Sequence, residues 1–392
     1  MIEYFINKTQ LFIYFASYMR KLNILLLNAL NIYGGGEFFV YQFAGLLKQR
    51  GHTVYVSCRK DNPIREKCER AGIPVFPLDY PAKGRGKLLH NIRALKKYII
   101  ENKIDLVHSN TNYDRTAGAF AARLSHTAHV TTNHSFHSIE YNPTHWLRNK
   151  YLTSQFIVDG ECTRELLLAD DTIDEKKITL IHLGIDADTM KRVEELRVKI
   201  RAEFGIKDSN LLIGNVGRMV EFKGQEYLIK AFPDVLRIFP DARLMIVGSG
   251  KLEKMLKELS DKLGVKEKII FPGFRDDMQA VYSAFDIYAH TSVEGGGETF
   301  PYAVLYALAQ ALPLVVTRVG DVPAMIEEGV NGFIVEDRNP GLISDKLCVL
   351  LGGKDLRNKM GSESYKLLKS RFTVEIMTEA ILKVYEKALL KN

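Results

Sequence analysis

Residues 211–224 read LLIGNVGRMVEFKG. The first six, Leu211–Val216, are mostly apolar, which is typical of a strand buried on both faces of a parallel sheet. A glycine-bounded loop follows, and an apolar stripe at helical spacing begins after Gly224. The stripe comprises Leu228, Ala231, Phe232, Val235, Leu236 and Phe239. A strand, a loop and an amphipathic helix in this order predict one unit of a doubly wound sheet.

The same alternation extends in both directions from this unit. Further strands are predicted downstream at Leu244–Val247, Ile269–Ile270, Ile287–Tyr288 and Leu314–Val316. Upstream, they are predicted at Leu22–Leu27, Thr53–Cys58, Leu106–Val107, Val130–Thr132 and Phe156–Val158. Two such series predict an α/β protein with two doubly wound, Rossmann-like parallel-sheet domains that face a cleft. Ligands of such sheets bind beyond the carboxyl ends of the strands, so the loops there carry the candidate site.

The domain boundaries follow from composition. A charged segment short of apolar strand, Asp186–Ser209, marks the junction, and we place the domains at residues 21–190 and 191–372. Residues 373–392 form a separate terminal segment that is helical by pattern. Residues 1–20 are set apart as an extension, because their apolar run is too short to span a membrane. This extension is either an interfacial anchor or an upstream addition with the natural start at Met19.

The overall composition is that of a globular protein. The 392 residues are 46% hydrophobic and 26% charged, with a formal net charge of +7. No Lys/Arg block is dense enough to indicate nucleic acid, so the excess fits phosphorylated substrates, an anionic membrane or a solvated surface. The four cysteines form no Cys-x-x-Cys pair, which argues against a disulfide framework or zinc site and favours a reducing compartment.

Two cations follow the strand at Leu211–Val216. Gly217 ends that strand, and Arg218 and Lys223 stand five residues apart in the loop. Arginine offers a planar fork to phosphate oxygens and lysine offers a point charge, so together they can bind a diphosphate. The alternative is two solvated surface cations, but the position at a strand end favours a ligand site.

Two glycine-rich loops stand at similar positions. Glu294–Pro301 reads EGGGETFP and leads into a helical segment, where backbone N–H groups and a helix N-terminus attract anions. Glu298 in this loop can bind sugar hydroxyls, unless the loop is merely a flexible acidic surface. Gly34–Glu37 also joins a strand to a helix, but alone it is equally consistent with a plain tight turn.

A group of histidines lies before the middle of the chain. It comprises His126, His129, His134, His137 and His145. No cysteine or carboxylate pattern supports a metal site, so we expect no metal. His134 follows a predicted strand, and it is either a cleft residue that contacts sugar or a structural histidine.

Taken together, these motifs resemble those of retaining glycosyltransferases of family 4, which have the GT-B fold. The resemblance covers nearly all of residues 21–392 and is most specific in the second half. It rests on Gly217-Arg218 with Lys223-Gly224, Val247–Gly250, Gly273-Phe274, Glu298–Pro301, Ala307–Pro313, Gly320 and Asn331-Gly332.

The resemblance implies a division of labour between the domains. The first domain would hold the acceptor, the second would hold the nucleotide-sugar donor, and the final helix would cross back to the first. Arg218 and Lys223 correspond to the diphosphate-binding cations, Glu298 to the carboxylate near the donor sugar, and His134 to the histidine near the reacting carbon. The implied donor contacts are Gly35, Gly36, Gly217, Gly248, Thr299, Phe300, Pro301 and Tyr306. No metal or other cofactor is implied.

Two departures from the family pattern stand out. The second glutamate of the Glu-seven-residues-Glu motif, which commonly contacts the nucleotide ribose, is replaced by Tyr306. Tyr306 could offer one hydroxyl, or Glu294 could supply the carboxylate from the loop. The family's usual Asn-Gly-Ile-Asp reads Leu183–Asp186 here, and its glycine and aspartate survive.

Three functions therefore remain open. The first is a cytoplasmic hexosyltransferase that uses a nucleotide sugar and glycosylates a cell-envelope glycan or a lipid-linked acceptor, as in polysaccharide biosynthesis. The apolar segments Leu11–Phe15 and His145–Leu147 add peripheral contact with the inner membrane face to this hypothesis. The second is a sugar-nucleotide epimerase of the same fold. The third is a non-catalytic binding subunit, which the replacement at Tyr306 motivates.

Overall fold

Two parallel β-sheets form the framework of the computed structural model, which describes residues 20–30, 34–80, 85–134 and 143–390. The first sheet has the order β3-β2-β1-β4-β5-β6-β7 and the second β10-β9-β8-β11-β12-β13. The strands of the first sheet are β1 Asn23–Asn28, β2 Thr53–Cys58, β3 Val75–Pro77, β4 Leu106–Ser109, β5 Ala128–Asn133, β6 Gln155–Val158 and β7 Ile178–Leu180. Those of the second are β8 Leu212–Val216, β9 Arg243–Val247, β10 Ile269–Gly273, β11 Ile287–His290, β12 Leu314–Thr317 and β13 Gly332–Val335.

Helices alternate with these strands. In the first half they are α1 Gly35–Gln49, α2 Ile64–Arg70, α3 Arg85–Glu101, α4 Arg115–Leu124, α5 Pro143–Leu147 with a π-helical turn at Arg148–Leu152, and α6 Glu161–Leu168. In the second half they are α7 Glu194–Glu203, α8 Gln225–Ile238, α9 Glu253–Lys262, α10 Met278–Ser283, α11 Tyr302–Ala309, α12 Pro340–Gly352, α13 Lys354–Arg371 and α14 Val374–Leu389. The predicted α/β class with two Rossmann-like sheets is confirmed.

The central strands are buried on both faces, as their continuous apolar runs predict. Leu25, Leu26 and Leu27 of β1 are fully buried, and β1 pairs in parallel with both β2 and β4. Sequence analysis missed the edge strands β3, β7 and β13. These strands have only three or four residues and are half-buried for most of their length, so they lack the long apolar run that marks an inner strand.

The charged segment at residues 186–209 contains a helix that the second sheet anchors. Arg197 and Arg201 of α7 both bind Asp286, at 2.7 Å and 3.3 Å. The Arg201 side chain is almost fully buried, and its guanidinium also donates to the Lys207 and Asn210 carbonyls. The arginines that make this segment charged therefore attach α7 to Asp286 at the start of β11 and to nearby backbone carbonyls.

The end of the chain returns to the first sheet. Helix α14 packs against β5, β6 and α1. The Tyr385 hydroxyl lies 2.7 Å from His108 Nδ1, and His108 Nε2 lies 2.7 Å from Thr132 Oγ1. Burial lowers the pKa of His108 well below its usual range, so this ring is neutral.

We propose that the first domain ends at residue 190 and the second at residue 372.

We expect Tyr385→Phe to destabilise the protein by about 1–3 kcal/mol. The substitution leaves the buried His108 Nδ1 without its partner, and a buried unsatisfied polar atom costs about that much. Tyr365→Phe is the matched control, because the Tyr365 hydroxyl makes only an exposed 3.4 Å contact with Asp188. Urea unfolding measures both variants. Equal midpoints for the two would contradict the role of Tyr385.

Candidate active site

A buried ion pair stands at the carboxyl edge of the second sheet. Lys223 ends a short 3₁₀ turn after β8, and its ammonium contacts the carboxylate of Glu298. The side chains are 14% and 8% exposed. Ser292 Oγ donates to Glu298 Oε2 at 2.6 Å, and His290 Nε2 lies 3.3 Å from the same oxygen. Glu298 is thus held by three groups from two strand-end loops.

Electrostatics keep this carboxylate ionised. Burial alone would raise the pKa of Glu298, but the Lys223 charge and the contact with His290 outweigh it and lower the pKa below the ordinary range. Burial lowers the pKa of His290, although Glu298 opposes that shift, so the histidine is neutral. The site therefore holds one cation and one anion in fixed positions at neutral pH.

Arg218 lies beside this pair. Its guanidinium carbon is 5.8 Å from the centre of the Phe222 ring, and the Lys223 ammonium is 5.1 Å from the same centre. Arg218 itself is exposed at the rim. The structure therefore brings Arg218, Lys223 and Glu298 together, and Phe222 supports both cations from one side.

Close backbone approach explains the glycines around these cations. Gly248 has φ +134°, and a Cβ there would lie 2.1 Å from the Gly217 carbonyl oxygen. A Cβ on Gly217 would lie 3.6 Å from the aliphatic part of Lys223. In the loop that carries Glu298, a Cβ on Gly296 would lie 1.8 Å from Phe222 Cβ. The loops that follow β8, β9 and β11 therefore pack together as one unit beside Arg218 and Lys223.

His134 faces this unit from the first sheet. Its Nδ1 lies 3.2 Å from Asp159 Oδ2, and Phe39 packs against the ring at 4.8 Å. Because a carboxylate only accepts, Nδ1 carries a proton in this contact. Nε2 is buried and has no hydrogen-bond partner among the residues that the structure describes. Thr299 Oγ1 reaches both the His134 carbonyl, at 3.4 Å, and Asp159.

The first glycine loop is held by a side chain that the sequence analysis did not assign. Glu37 Oε2 accepts the Gly34 N–H at 2.9 Å, and burial raises the pKa of Glu37. A Cβ on Gly35 would lie 3.5 Å from Tyr302 across the cleft, whereas a Cβ on Gly36 would have no atom within 4 Å among the described residues.

Buried polar side chains gather at the same edge of the first sheet. Asn133 Oδ1 is buried without a hydrogen bond in the described part of the chain, and a hydrogen bond from the Asn28 side chain to Glu37 opposes the rise in the pKa of Glu37. Native proteins rarely leave a buried polar atom unpaired, so Asn133 indicates a place where a polar ligand or water binds. The positions of Asn28 and Asn133 at strand ends are the signal that sequence analysis could have used.

The residues after Glu298 lie at the junction between the sheets. Phe300 is 2% exposed and stacks on His182 at 4.6 Å, while Phe372 packs edge-on against it at 5.2 Å. Pro301 is the N-cap of α11. The preserved glycine of Leu183–Asp186 is also explained, since a Cβ on Gly184 would lie 2.3 Å from the Thr373 carbonyl oxygen.

Tyr306 is half-buried on α11. Its ring lies 5.4 Å from Tyr282 and 6.2 Å from Phe38 of α1, so it forms part of an aromatic contact between the two halves. Glu294, the alternative source of a carboxylate, is exposed, and its backbone is tied to Asp337 and Arg338.

The histidine group does not come together as a whole. His129 is buried between Ser109 and Thr153, and His126 is exposed with φ +53°. His137 and the segment Leu11–Phe15 lie outside the described residues. Within the described ranges, no three His, Cys, Asp or Glu side chains are arranged to hold a metal ion. No helix in these ranges combines the length and apolar character that crossing a bilayer requires.

Two family models match the chain. The model described as Glycosyltransferase Family 4 matches residues 33–189, and the model described as Glycosyl transferases group 1 matches residues 197–367. Each model therefore covers most of one of the two sheets and its helices, and together they span most of the chain.

Among relatives, the chain is 27% identical to a D-inositol 3-phosphate glycosyltransferase of Corynebacterium jeikeium, over 90% of this chain and 92% of that protein. It is also 27% identical to an uncharacterised glycosyltransferase of Methanocaldococcus jannaschii, over 74% and 76% of the two chains.

Solved structures show the same fold. A glycosyltransferase from Rickettsia africae aligns with TM-score 0.84 at 21% identity, over 95% of this chain and all of that one. HepE of Anabaena, solved in complex with UDP, aligns with TM-score 0.81 at 21% identity, over 93% of this chain and all of that one. The predicted GT-B arrangement of two facing sheets is confirmed.

We expect Glu298→Gln to destabilise the protein by about 3 kcal/mol at neutral pH, because it leaves the Lys223 ammonium half-buried without a counter-charge. The folded-state pKa of Glu298 lies below its unfolded value, so its contribution is present above about pH 4.5 and is lost as the pH falls further. Urea unfolding at pH 7 and pH 3 measures the difference in the free energy of unfolding between wild type and variant, which should be smaller at the lower pH.

The double variant Lys223→Met/Glu298→Gln is the control for this prediction. It removes both charges, so it should recover most of the lost stability. A double variant as unstable as Glu298→Gln would show that the ion pair is not the cause.

Proposed function

Since this chain belongs to glycosyltransferase family 4 and uses a nucleotide sugar, we propose that it is a retaining enzyme with the donor on the second sheet and the acceptor on the first. The observation that carries the proposal is the grouping of Arg218, Lys223 and Glu298 at one strand edge, opposite His134. Two cations there suit a diphosphate, and one carboxylate suits sugar hydroxyls.

The proposed reaction is a displacement on one face of the sugar. The acceptor oxygen bonds to the anomeric carbon as the bond from that carbon to the diphosphate oxygen breaks. The proton of the acceptor hydroxyl passes to the departing diphosphate, which then leaves with Arg218 and Lys223 balancing its charge. Double displacement needs a carboxylate nucleophile, whereas Glu298 is engaged by Lys223, Ser292 and His290. His134 Nε2 would lie near the reacting carbon and contact a sugar hydroxyl.

In this scheme the remaining donor contacts are Gly35, Gly36, Gly217, Gly248, Thr299, Phe300, Pro301 and Tyr306. The glycines would let the backbone approach the phosphates, and Tyr306 would face the ribose with its hydroxyl. No metal or further cofactor is needed, because the two cations take the place of one. HepE was solved with UDP and with UDP-glucose, so uridine diphosphate sugars are the first donors to test here.

For the acceptor we propose a cell-envelope glycan or a lipid-linked sugar, reached from the cytoplasmic side of the membrane. The similarity to a D-inositol 3-phosphate glycosyltransferase supports a polyhydroxylated acceptor. The buried, unpaired Asn133 Oδ1 supports the same class of ligand.

Peripheral membrane contact would come through α3. Leu89, Arg93 and Ile100 are exposed on one stripe of this helix, and Lys96 and Lys97 lie between the two apolar residues. Leu89 and Ile100 are 54% and 58% exposed. A stripe with cations between apolar side chains suits the headgroup region of an anionic bilayer.

We expect Lys223→Ala to reduce sugar transfer at least 100-fold while the protein stays folded, because the leaving diphosphate loses a positioned cation. Lys230→Ala is the matched control, since Lys230 is exposed on α8, where it pairs with Glu226 and lies over the Tyr227 ring. Release of nucleoside diphosphate from UDP-glucose and other nucleotide sugars, with circular dichroism of each variant, measures the effect. Full turnover in Lys223→Ala would overturn the assignment.

The non-catalytic alternative rests on Tyr306, which replaces the second glutamate of the family pattern with an aromatic ring that stacks on Tyr282. A thermal-shift screen against UDP, GDP, ADP and CMP sugars separates the functions. Stabilisation by one nucleotide sugar together with transfer supports the enzyme, and an epimer formed without acceptor indicates an epimerase. Failure to bind any of these nucleotides would indicate a binding subunit.

For the membrane contact, we expect Arg93→Glu/Lys96→Glu to reduce binding to vesicles containing phosphatidylglycerol at least tenfold, because each cation near an anionic surface contributes about 1 kcal/mol. Lys254→Glu/Lys257→Glu on α9 is the control with the same change of charge on the other half of the molecule. Vesicle co-sedimentation measures both. Equal losses in both variants would indicate net charge rather than α3.

A further inference from the structure

Helix α6 begins without a capping side chain of its own. Its N-cap is Gly160, which is extended at φ −153° and ψ 163° and has no side chain to offer. The cap comes from Asp321, which follows β12 in the second half of the chain. The Asp321 carboxylate accepts the Glu161 N–H at 3.0 Å and the Cys162 N–H at 3.2 Å. The free N–H groups of a helix are thus satisfied across the cleft.

Gly160 and Asp321 are matched in size. A Cβ on Gly160 would lie 1.8 Å from Asp321 Oδ2, so no other residue fits at position 160 while Asp321 keeps its place. Asp321 is 8% exposed, and Cys162 Sγ lies 2.6 Å from its carboxylate. Asp321 and Gly160 are therefore in close, buried contact between the two halves of the molecule.

Asp321 and Gly160 each lie next to residues that contact or carry a candidate catalytic group. In the second half, the Asp321 N–H donates to the Thr299 carbonyl at 3.2 Å, directly after Glu298. Gly320 has φ +51°, and a Cβ there would lie 2.0 Å from the Glu298 carbonyl oxygen. In the first half, Asp159 precedes Gly160 and holds His134 Nδ1 at 3.2 Å.

We propose that Asp321 is a positioning residue for sugar transfer, which caps α6 across the cleft and thereby fixes His134 relative to Glu298. This inference rests on the proposed function. A carboxylate at a helix N-terminus is held by charge, by the helix dipole and by hydrogen bonds. Asp321 therefore ties the loop of the donor carboxylate to the strand end that orients His134.

The pair allows an experiment that separates capping from positioning. Asp321→Gly removes the cap and should lower the melting temperature by about 2–4 °C. Asp321→Gly/Gly160→Ser restores a cap within the first half, because a serine at the N-cap can accept the helix N–H groups and the clashing carboxylate is gone. The double variant should regain the wild-type melting temperature without regaining the tie across the cleft.

We expect the double variant to recover the stability of the wild type but not its turnover. The double variant should melt with the wild type but transfer sugar with a kcat about 10- to 100-fold lower, since small displacements of reacting groups have effects of that size. Binding of UDP, measured by calorimetry, should change less than twofold because Arg218 and Lys223 are untouched. Small-angle scattering should show a larger radius of gyration for the double variant.

Asp174→Gly is the matched control. Asp174 caps the 3₁₀ turn Glu175–Lys177, which directly precedes β7, and its carboxylate accepts the Lys176 N–H at 2.9 Å. This variant should leave kcat and the radius of gyration unchanged.

A double variant that regains wild-type kcat and keeps the wild-type radius of gyration would overturn the positioning role. Asp321 would then act only as the N-cap of α6. If wild type itself transfers no sugar while the double variant still expands, the proposed function fails and the tie across the cleft stands.

Discussion

The buried contact between Lys223 and Glu298 is the interaction on which the candidate site depends. Each charge would be costly to bury alone, and together they are tolerated because they offset each other and because Ser292 and His290 add polar contacts to the carboxylate oxygen that Lys223 contacts. The pair fixes the loop after β8 to the loop before α11. Those two loops carry every charged group proposed to contact the donor, so the geometry of the donor site follows from this one contact.

The two sheets are held together by contacts of different character. Phe300 stacks on His182 and packs against Phe372, which closes the junction with apolar surface. Nearer the site, Asp159 and Asp321 make polar contacts across the same gap. The apolar contacts are non-directional, whereas the carboxylates fix distances, so the polar contacts are the ones that can set the alignment of His134 and Glu298.

The replacement at Tyr306 changes what this part of α11 does. A carboxylate there would need a polar partner, whereas the tyrosine ring packs with Tyr282 and approaches Phe38 of the facing helix. The position therefore contributes apolar contact between the two halves.

The sequence by itself determined the class of fold and the inner strands, because apolar runs and helical stripes are local patterns that burial imposes directly. It also placed Arg218 and Lys223 in a loop at a strand end, and the structure has both residues directly after β8. It did not reveal the short edge strands, the cap that Asp321 places on α6, or the contact between Asp159 and His134. Those features join residues as far as 160 positions apart. Only the packing of the two sheets decides which side chains meet there, so no local pattern encodes them.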